Sequence, residues 1–175
     1  MAFDDVYKHH VSITSTASDG MGIPGDYRQE LGTTGGVYRL VKAGESASGG
    51  VPLSWSNTPD YSVQRPAAVG VPIVGVAPVN CASGGYFWMR VAGFQGLVNL
   101  GAVTIQTGEP IVVASTAGHV SKQIVTVTQN VTAASSDAEQ TIVASVSATA
   151  YPAIGVAVES ASASGAFLAQ LDCMW

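Results

Sequence analysis

"IVGVAPVNCASGGYFWMRV" (residues 73–91) and "AIGVAVESASASGAFLAQL" (residues 153–171) are two writings of one phrase. Gly75, Val76 and Ala77 stand where Gly155, Val156 and Ala157 stand, Gly85 answers Gly165, and Phe87 answers Phe167. The offset is 80 residues throughout, with no gap. Each copy reads as a short apolar strand, a turn of small residues and a second strand. Gly75 and Gly155 lie within apolar strands, where a missing side chain lets another backbone or a ring come close. Gly85 and Gly165 fall in the turn, where a positive φ is often required. Phe87 and Phe167 then fill equivalent core positions, and the two hairpins are expected to pair across one closed barrel.

The surrounding chain points to the same architecture. From Gly36 onward, runs rich in Val, Ile, Thr and aromatic residues alternate with Gly, Ser and Pro, the rhythm of short strands and turns. "GVYRLVKAG" (36–44), "GGVPLSWS" (49–56), "GYFWMRVAG" (85–93), "GLVNLGAVTI" (96–105) and "EPIVVAST" (109–116) each read as a strand. "KQIVTVTQNVT" (122–132) alternates over its whole length, and "TIVASVSATA" (141–150) resumes after the interruption "AASSDAEQ". "SNTPDYSVQRPAA" (56–68) reads as a loop, because Pro59 and Pro66 cannot donate to a central ladder. No long amphipathic helical period occurs. The expected fold is all-β, a compact antiparallel β-barrel or sandwich with an extended N-terminal arm.

The arm is residues 1–34 and the β domain residues 35–175. "TASDGMGIPGDYRQELGTTGG" (16–36) has loop composition with no sustained period. It is either a loose terminus or a segment that orders on a partner. Phe3, Val6, Tyr7, Val11 and Ile13 favour the second reading, being too apolar for a solvated tail.

Composition excludes some partners. Charged residues make up 11% of the chain and the net charge is −5. The seven basic residues are scattered, and none follows Lys122. A phosphate-binding face needs them clustered, so nucleic acid is not an expected partner. No run approaches the roughly 18 apolar residues of a membrane span. The opening residues lack a basic region followed by an apolar one, so the expectation is a soluble protein made without Sec export. Cys81 and Cys173 permit one disulfide or sit as two buried thiols.

Catalysis needs converging polar groups, and few present themselves. His119 lies beside Ser115, Thr116, Ser121 and Lys122, but no G-x-S-x-G elbow places a nucleophile. His9 and His10 are adjacent and point to opposite faces of a strand, a poor chelate. Asp4 and Asp5 lack calcium-loop spacing. No catalytic residue, metal or cofactor is expected. The aromatics Tyr86 and Trp88 alternate with Phe87, so they face away from the core that Phe87 fills. That second face meets solvent, another layer or a subunit.

Through "PIVGVAPVNCASGGYFWMRVAGFQGLV" (72–98), "TGEPIVVASTAGHV" (107–120) and the closing repeat, the chain resembles the cement, or decoration, proteins of tailed-bacteriophage capsids. The resemblance covers about Gly36 to Leu171 and rests on turns and small residues rather than on a reactive motif. It implies a β-barrel-like, often trimeric protein of the virion, without enzymatic activity. It implies attachment to the major capsid protein on the outer shell, assembled in the host cytoplasm. On that reading Phe3, Val6, Tyr7 and Val11 of the arm are the expected shell contacts. Tyr86 and Trp88 are the expected subunit contacts. The alternatives are a protein of a head or tail fibre and a carbohydrate-binding module. The module would use Trp55, Tyr86 and Trp88 as an aromatic row.

Overall fold

The run YFWMRVAGFQGLV is aromatic and β-branched at one end and continues past Gly93 without a turn residue that would end it. In the computed structural model it forms a single strand, Tyr86–Val98, where the sequence suggested two. Gly93 makes this possible. Its φ is +98°, and a Cβ there would lie 2.1 Å from the carbonyl oxygen of Gly35. A side chain at that point would push the neighbouring strand away. The strand therefore serves one set of partners before Gly93 and another after it.

The structure describes residues 22–30, 35–68, 70–99, 104–114, 119–123, 128–131, 144–147 and 151–173. Among these there are twelve strands and no helix. They are β1 (Tyr27–Glu30), β2 (Gly36–Ala43), β3 (Pro52–Asn57), β4 (Ser62–Gln64), β5 (Gly75–Val76) and β6 (Tyr86–Val98). Then come β7 (Pro110–Val113), β8 (Val120–Lys122), β9 (Thr128–Val131), β10 (Ala144–Ser147), β11 (Gly155–Ala157) and β12 (Ala166–Asp172). The all-β class stands, and the main sheet closes on itself as a barrel.

The closure runs β2–β4–β3–β5–β6 and back to β2. Every pairing in this ring is antiparallel except β2 with β4, which is parallel. The second half of β6 then starts another circuit: β12, β11, β7 and β8 in turn. A parallel bridge from Asn99 to Val120 returns that circuit to the end of β6. The connectivity of the first unit is thus repeated in the second, with β6 shared between them.

The registers match residue for residue. Leu53 faces Gly75 as Ile111 faces Gly155. Val76 faces Arg90 as Val156 faces Gln170. Val41 faces Phe87 as Leu97 faces Phe167. The bridge Ala47–Cys81 recurs as Ile105–Ala161. The duplication seen at residues 73–91 therefore extends over a whole five-stranded unit. The repeated hairpins do not face each other across one barrel, as the sequence suggested; each completes its own circuit, and β6 and β12 lie side by side. The earlier half of the repeat is hidden because Pro52 corresponds to Pro110, a shorter offset than 80. Between β8 and β11 the chain also carries the separate antiparallel pair β9–β10, which has no counterpart between β4 and β5.

Each unit has its own core, as separate circuits require. Val41, Leu53, Val63, Ala77, Phe87 and Met89 fill the first. Leu97, Ile105, Ile111, Ile154, Phe167 and Leu171 fill the second. Ile73 and Val76, on the outer side of the first circuit, pack into the second core and join the units. Two details depart from the sequence reading. Ser62–Gln64 forms β4 within the segment between Pro59 and Pro66, because the prolines only flank it. Tyr27–Glu30, within the segment 1–34, forms β1 and pairs antiparallel with β2.

Candidate protein-binding surface

The outer face of the first unit is built from alternate residues of β2 and β6. Tyr38, Leu40 and Trp88 lie there and are at most 4% exposed, with half-buried Tyr86 packed against them. Strand alternation puts them opposite Val41 and Phe87. Residues 22–30 run beside β2 in the same sheet and send the Arg28 and Glu30 side chains over this face. Gly25 donates its N–H to the Leu40 carbonyl at 2.8 Å, and Leu40 donates back to Asp26 at 2.9 Å. The Arg28 guanidinium lies 6.0 Å from the Trp88 ring centroid. Tyr38 donates its hydroxyl to Glu30 at 2.9 Å and also meets the Arg90 guanidinium. Trp88, expected at a subunit contact, is therefore buried within its own chain, and Tyr86 is half-covered beside it.

The second unit carries the same face with different residues. Phe94 opposite Gln170 replaces Tyr38 opposite Arg90. Gly96 opposite Leu168 replaces Leu40 opposite Trp88, and Val98 opposite Ala166 replaces Lys42 opposite Tyr86. Val156 on β11 and Pro110 on β7 extend the rows outward. This face is open. Val98 is 42% exposed and Val156 44%, whereas Val76, the counterpart of Val156, is fully buried. A Cβ built on Gly96 meets nothing within 4 Å. None of these positions is charged. The sequence shows the apolar alternation, but it cannot tell a covered face from a bare one.

Three aromatic rings gather elsewhere on the first unit. The Arg39 guanidinium lies 4.8 Å from the Tyr27 ring centroid, 5.2 Å from Trp55 and 4.9 Å from Tyr61. The quadrupoles of the rings hold the cation there. Tyr61 takes a φ of +48° to reach it, a backbone state costly for a bulky residue. Its ring fills the space that any side chain at Gly25 would need. The expected aromatic row of Trp55, Tyr86 and Trp88 does not form, since Trp88 is buried on the other side of the strand. Trp55 joins Tyr27 and Tyr61 instead.

The remaining candidate residues are dispersed. Half-buried His119 accepts the Ala114 N–H at its carbonyl, 2.8 Å away, which extends the β7–β8 pairing by one bond. Among the described residues no three of His, Cys, Asp and Glu gather as metal ligands would. Phe3, Val6, Tyr7, His9, His10 and Val11 lie outside the described residues. Cys81 and Cys173 are reduced and buried, one in each core. Burial raises both thiols, and the neighbouring Asp172 helps push Cys173 up to about 12. Partly exposed Glu45 is held below its usual range, chiefly by its hydrogen bonds with Arg65. Glu109 is lowered by the Gln106 N–H and by Lys122. Both pairs brace turns. No family model matches the chain, and no curated protein matches it.

Proposed function

We propose that this chain is a non-enzymatic structural protein of a tailed-phage virion, a cement protein that binds the major capsid protein on the outer shell. The observation that carries the reading is the open sheet face of the second unit, apolar at Phe94, Val98, Val156 and Leu168. A chain that buries this face once and leaves its duplicate bare is built to be completed by another protein, since exposed apolar patches of this kind mark interaction sites. The glycine-punctuated phrases around it are those that resemble cement proteins. The low charge of the chain suits close approach to a shell made of many identical subunits.

The mechanism on this reading is thermodynamic linkage. A protein that binds the expanded shell, and not its separated subunits, adds its binding free energy to shell stability. A homotrimer touching several capsid subunits gains further from high effective concentration. Purified protein added to undecorated expanded capsids should co-sediment with them and raise their disruption temperature. Absence of co-sedimentation with capsids of every expansion state overturns the proposal.

The gathering of Tyr27, Trp55 and Tyr61 around Arg39 supports a second reading, a carbohydrate-binding surface. A glycan-array signal abolished by Trp55→Ala, with the fold intact, would favour it over the first.

A further inference from the structure

Arg39 differs from the other paired cations of the sheet. Arg65, Arg90 and Lys122 each meet a carboxylate, that of Glu45 at 3.0 Å, Glu30 at 3.6 Å and Glu109 at 3.1 Å. Among the described residues no carboxylate pairs with Arg39, and its guanidinium sits instead among the rings of Tyr27, Trp55 and Tyr61. Its Nε is buried without a hydrogen-bond partner, whereas its two terminal nitrogens are not enclosed. The fork of N–H donors that matches a carboxylate therefore has no acceptor among the described residues. Arg28 and Lys42, its neighbours on β1 and β2, project from the other side of the sheet, Arg28 to Trp88 and Lys42 in the row of Tyr86. Arg39 thus brings a single positive charge to its own side.

The duplication shows that the strand frame does not demand this cluster. Gln95, opposite Ala169, stands in the second unit where Arg39 stands opposite Met89. Val113, opposite Val120, stands where Trp55 stands opposite Val63. Gln95 turns its amide onto the Gly96 carbonyl at 3.1 Å, and Val113 is buried in the second core. The same circuit therefore closes with neither a cation nor a ring at these places. In the first unit the backbone bends to place the rings. Tyr61 holds its φ of +48°, and Gly25 lacks the side chain that would displace the Tyr61 ring. Local strain that the frame itself does not require is characteristic of ligand sites.

The chemistry of the cluster selects the ligand. The negative face of an aromatic ring takes the C–H bonds of a sugar as it takes a cation. Tyr27 is 58% exposed and offers such a face, and the hydroxyls of Tyr27 and Tyr61 can donate and accept hydrogen bonds. One guanidinium matches the single charge of a carboxylate, whereas a phosphate monoester carries about two. Asp60, next to Tyr61 in the chain, is engaged by the Asn57 amide at 2.7 Å and not by Arg39. We propose that Arg39, Tyr27, Trp55 and Tyr61 form a site for a carboxylated sugar, a uronate or sialate residue of a glycan. The carboxylate lies on the terminal nitrogens of Arg39 and the sugar ring on Tyr27. The site rests on the carbohydrate-binding reading given above, names its ligand class, and is independent of the open face of the second unit.

The test offers the full chain immobilised glucuronate- and sialate-terminated oligosaccharides beside the same oligosaccharides with each carboxyl reduced to an alcohol. The acidic forms should bind, and reduction should weaken binding by about tenfold or more, the worth of a charge-assisted pair. Arg39→Gln and Tyr27→Ala should each weaken binding of the acidic form by a similar factor, with unchanged near-UV circular dichroism. Tyr27 is exposed on an edge strand, so its variant carries the test even where Arg39→Gln unfolds the chain. Arg39→Lys, which keeps the charge without the fork, should recover only part of the binding. Equal binding of acidic and reduced forms overturns the inference and leaves the carbohydrate reading standing. Silence toward both forms also overturns it, and neutral glycans on the array then decide the wider reading. Binding that survives both Tyr27→Ala and Arg39→Gln places the ligand elsewhere and overturns the site.

Discussion

Gly75 and Gly155 occupy the same place in the two units, and replacing each by alanine tests that equivalence. At Gly155 an added Cβ would lie 2.2 Å from the carbonyl oxygen of Gln170 and 3.0 Å from the Leu171 Cα. Both are backbone atoms of the paired strand, so no rotamer change relieves the clash. At Gly75 the obstacles are Met89 Cγ at 2.6 Å and the Arg90 carbonyl at 2.7 Å. Arg90 is the register counterpart of Gln170, but the methionine can move and the carbonyl is less close. Overpacking a tight site costs about 1–3 kcal/mol, with backbone clashes at the upper end. The smaller unfolded-state entropy of alanine returns about 0.5 kcal/mol. Gly155→Ala should therefore destabilise by about 2.5 kcal/mol and Gly75→Ala by about 1.5 kcal/mol. For a chain of this size the larger value lowers Tm by roughly 5–10 °C. Urea unfolding followed by fluorescence and by circular dichroism gives both values, provided the two probes coincide. The reasoning fails if Gly155→Ala lies within about 0.5 kcal/mol of the parent protein, or if Gly75→Ala costs more than Gly155→Ala.

Phe87→Leu and Phe167→Leu should each cost about 1–2 kcal/mol. Because the rings fill separate cores, the double variant should show the sum; a coupling above about 1 kcal/mol in the unfolding curves would contradict two cores. Neither thiol should react with a disulfide reagent at pH 8 in the native state, since burial holds both Cys81 and Cys173 in the protonated form. Labelling should begin only with denaturant, and fast native labelling would show that a core opens. Glu45 and Glu109 have lowered folded pKa values, so their contribution is present above the ordinary carboxylate range of about 4.3 and is lost as pH falls through the folded values. Replacing both by Gln should flatten the drop of Tm between about pH 5 and pH 3 relative to the parent. An unchanged acid slope would place that stability elsewhere.

The sequence by itself determined what is local. Period-two alternation and glycine turns specify the strand class, because side-chain direction alternates whatever the partner strand is. The repeated phrase marks two equivalent hairpins, because Gly75 and Gly155 meet the same obstacle, a carbonyl of the paired strand. Phe87 and Phe167 are core plugs for the same reason of register. What only the tertiary structure decided depends on contacts between distant residues. That Gly93 lets one strand serve two circuits follows from the closeness of Gly35, which spacing along the chain does not encode. The burial of Trp88 depends on its packing with Tyr38, Leu40 and Tyr86 and on Arg28, which β1 brings to its ring, although the loop-like composition around β1 announces no strand. The open face at Val156 is visible only because its counterpart Val76 is covered. Both are valines in the same phrase, and the difference between core and surface lies in what the rest of the chain packs against them.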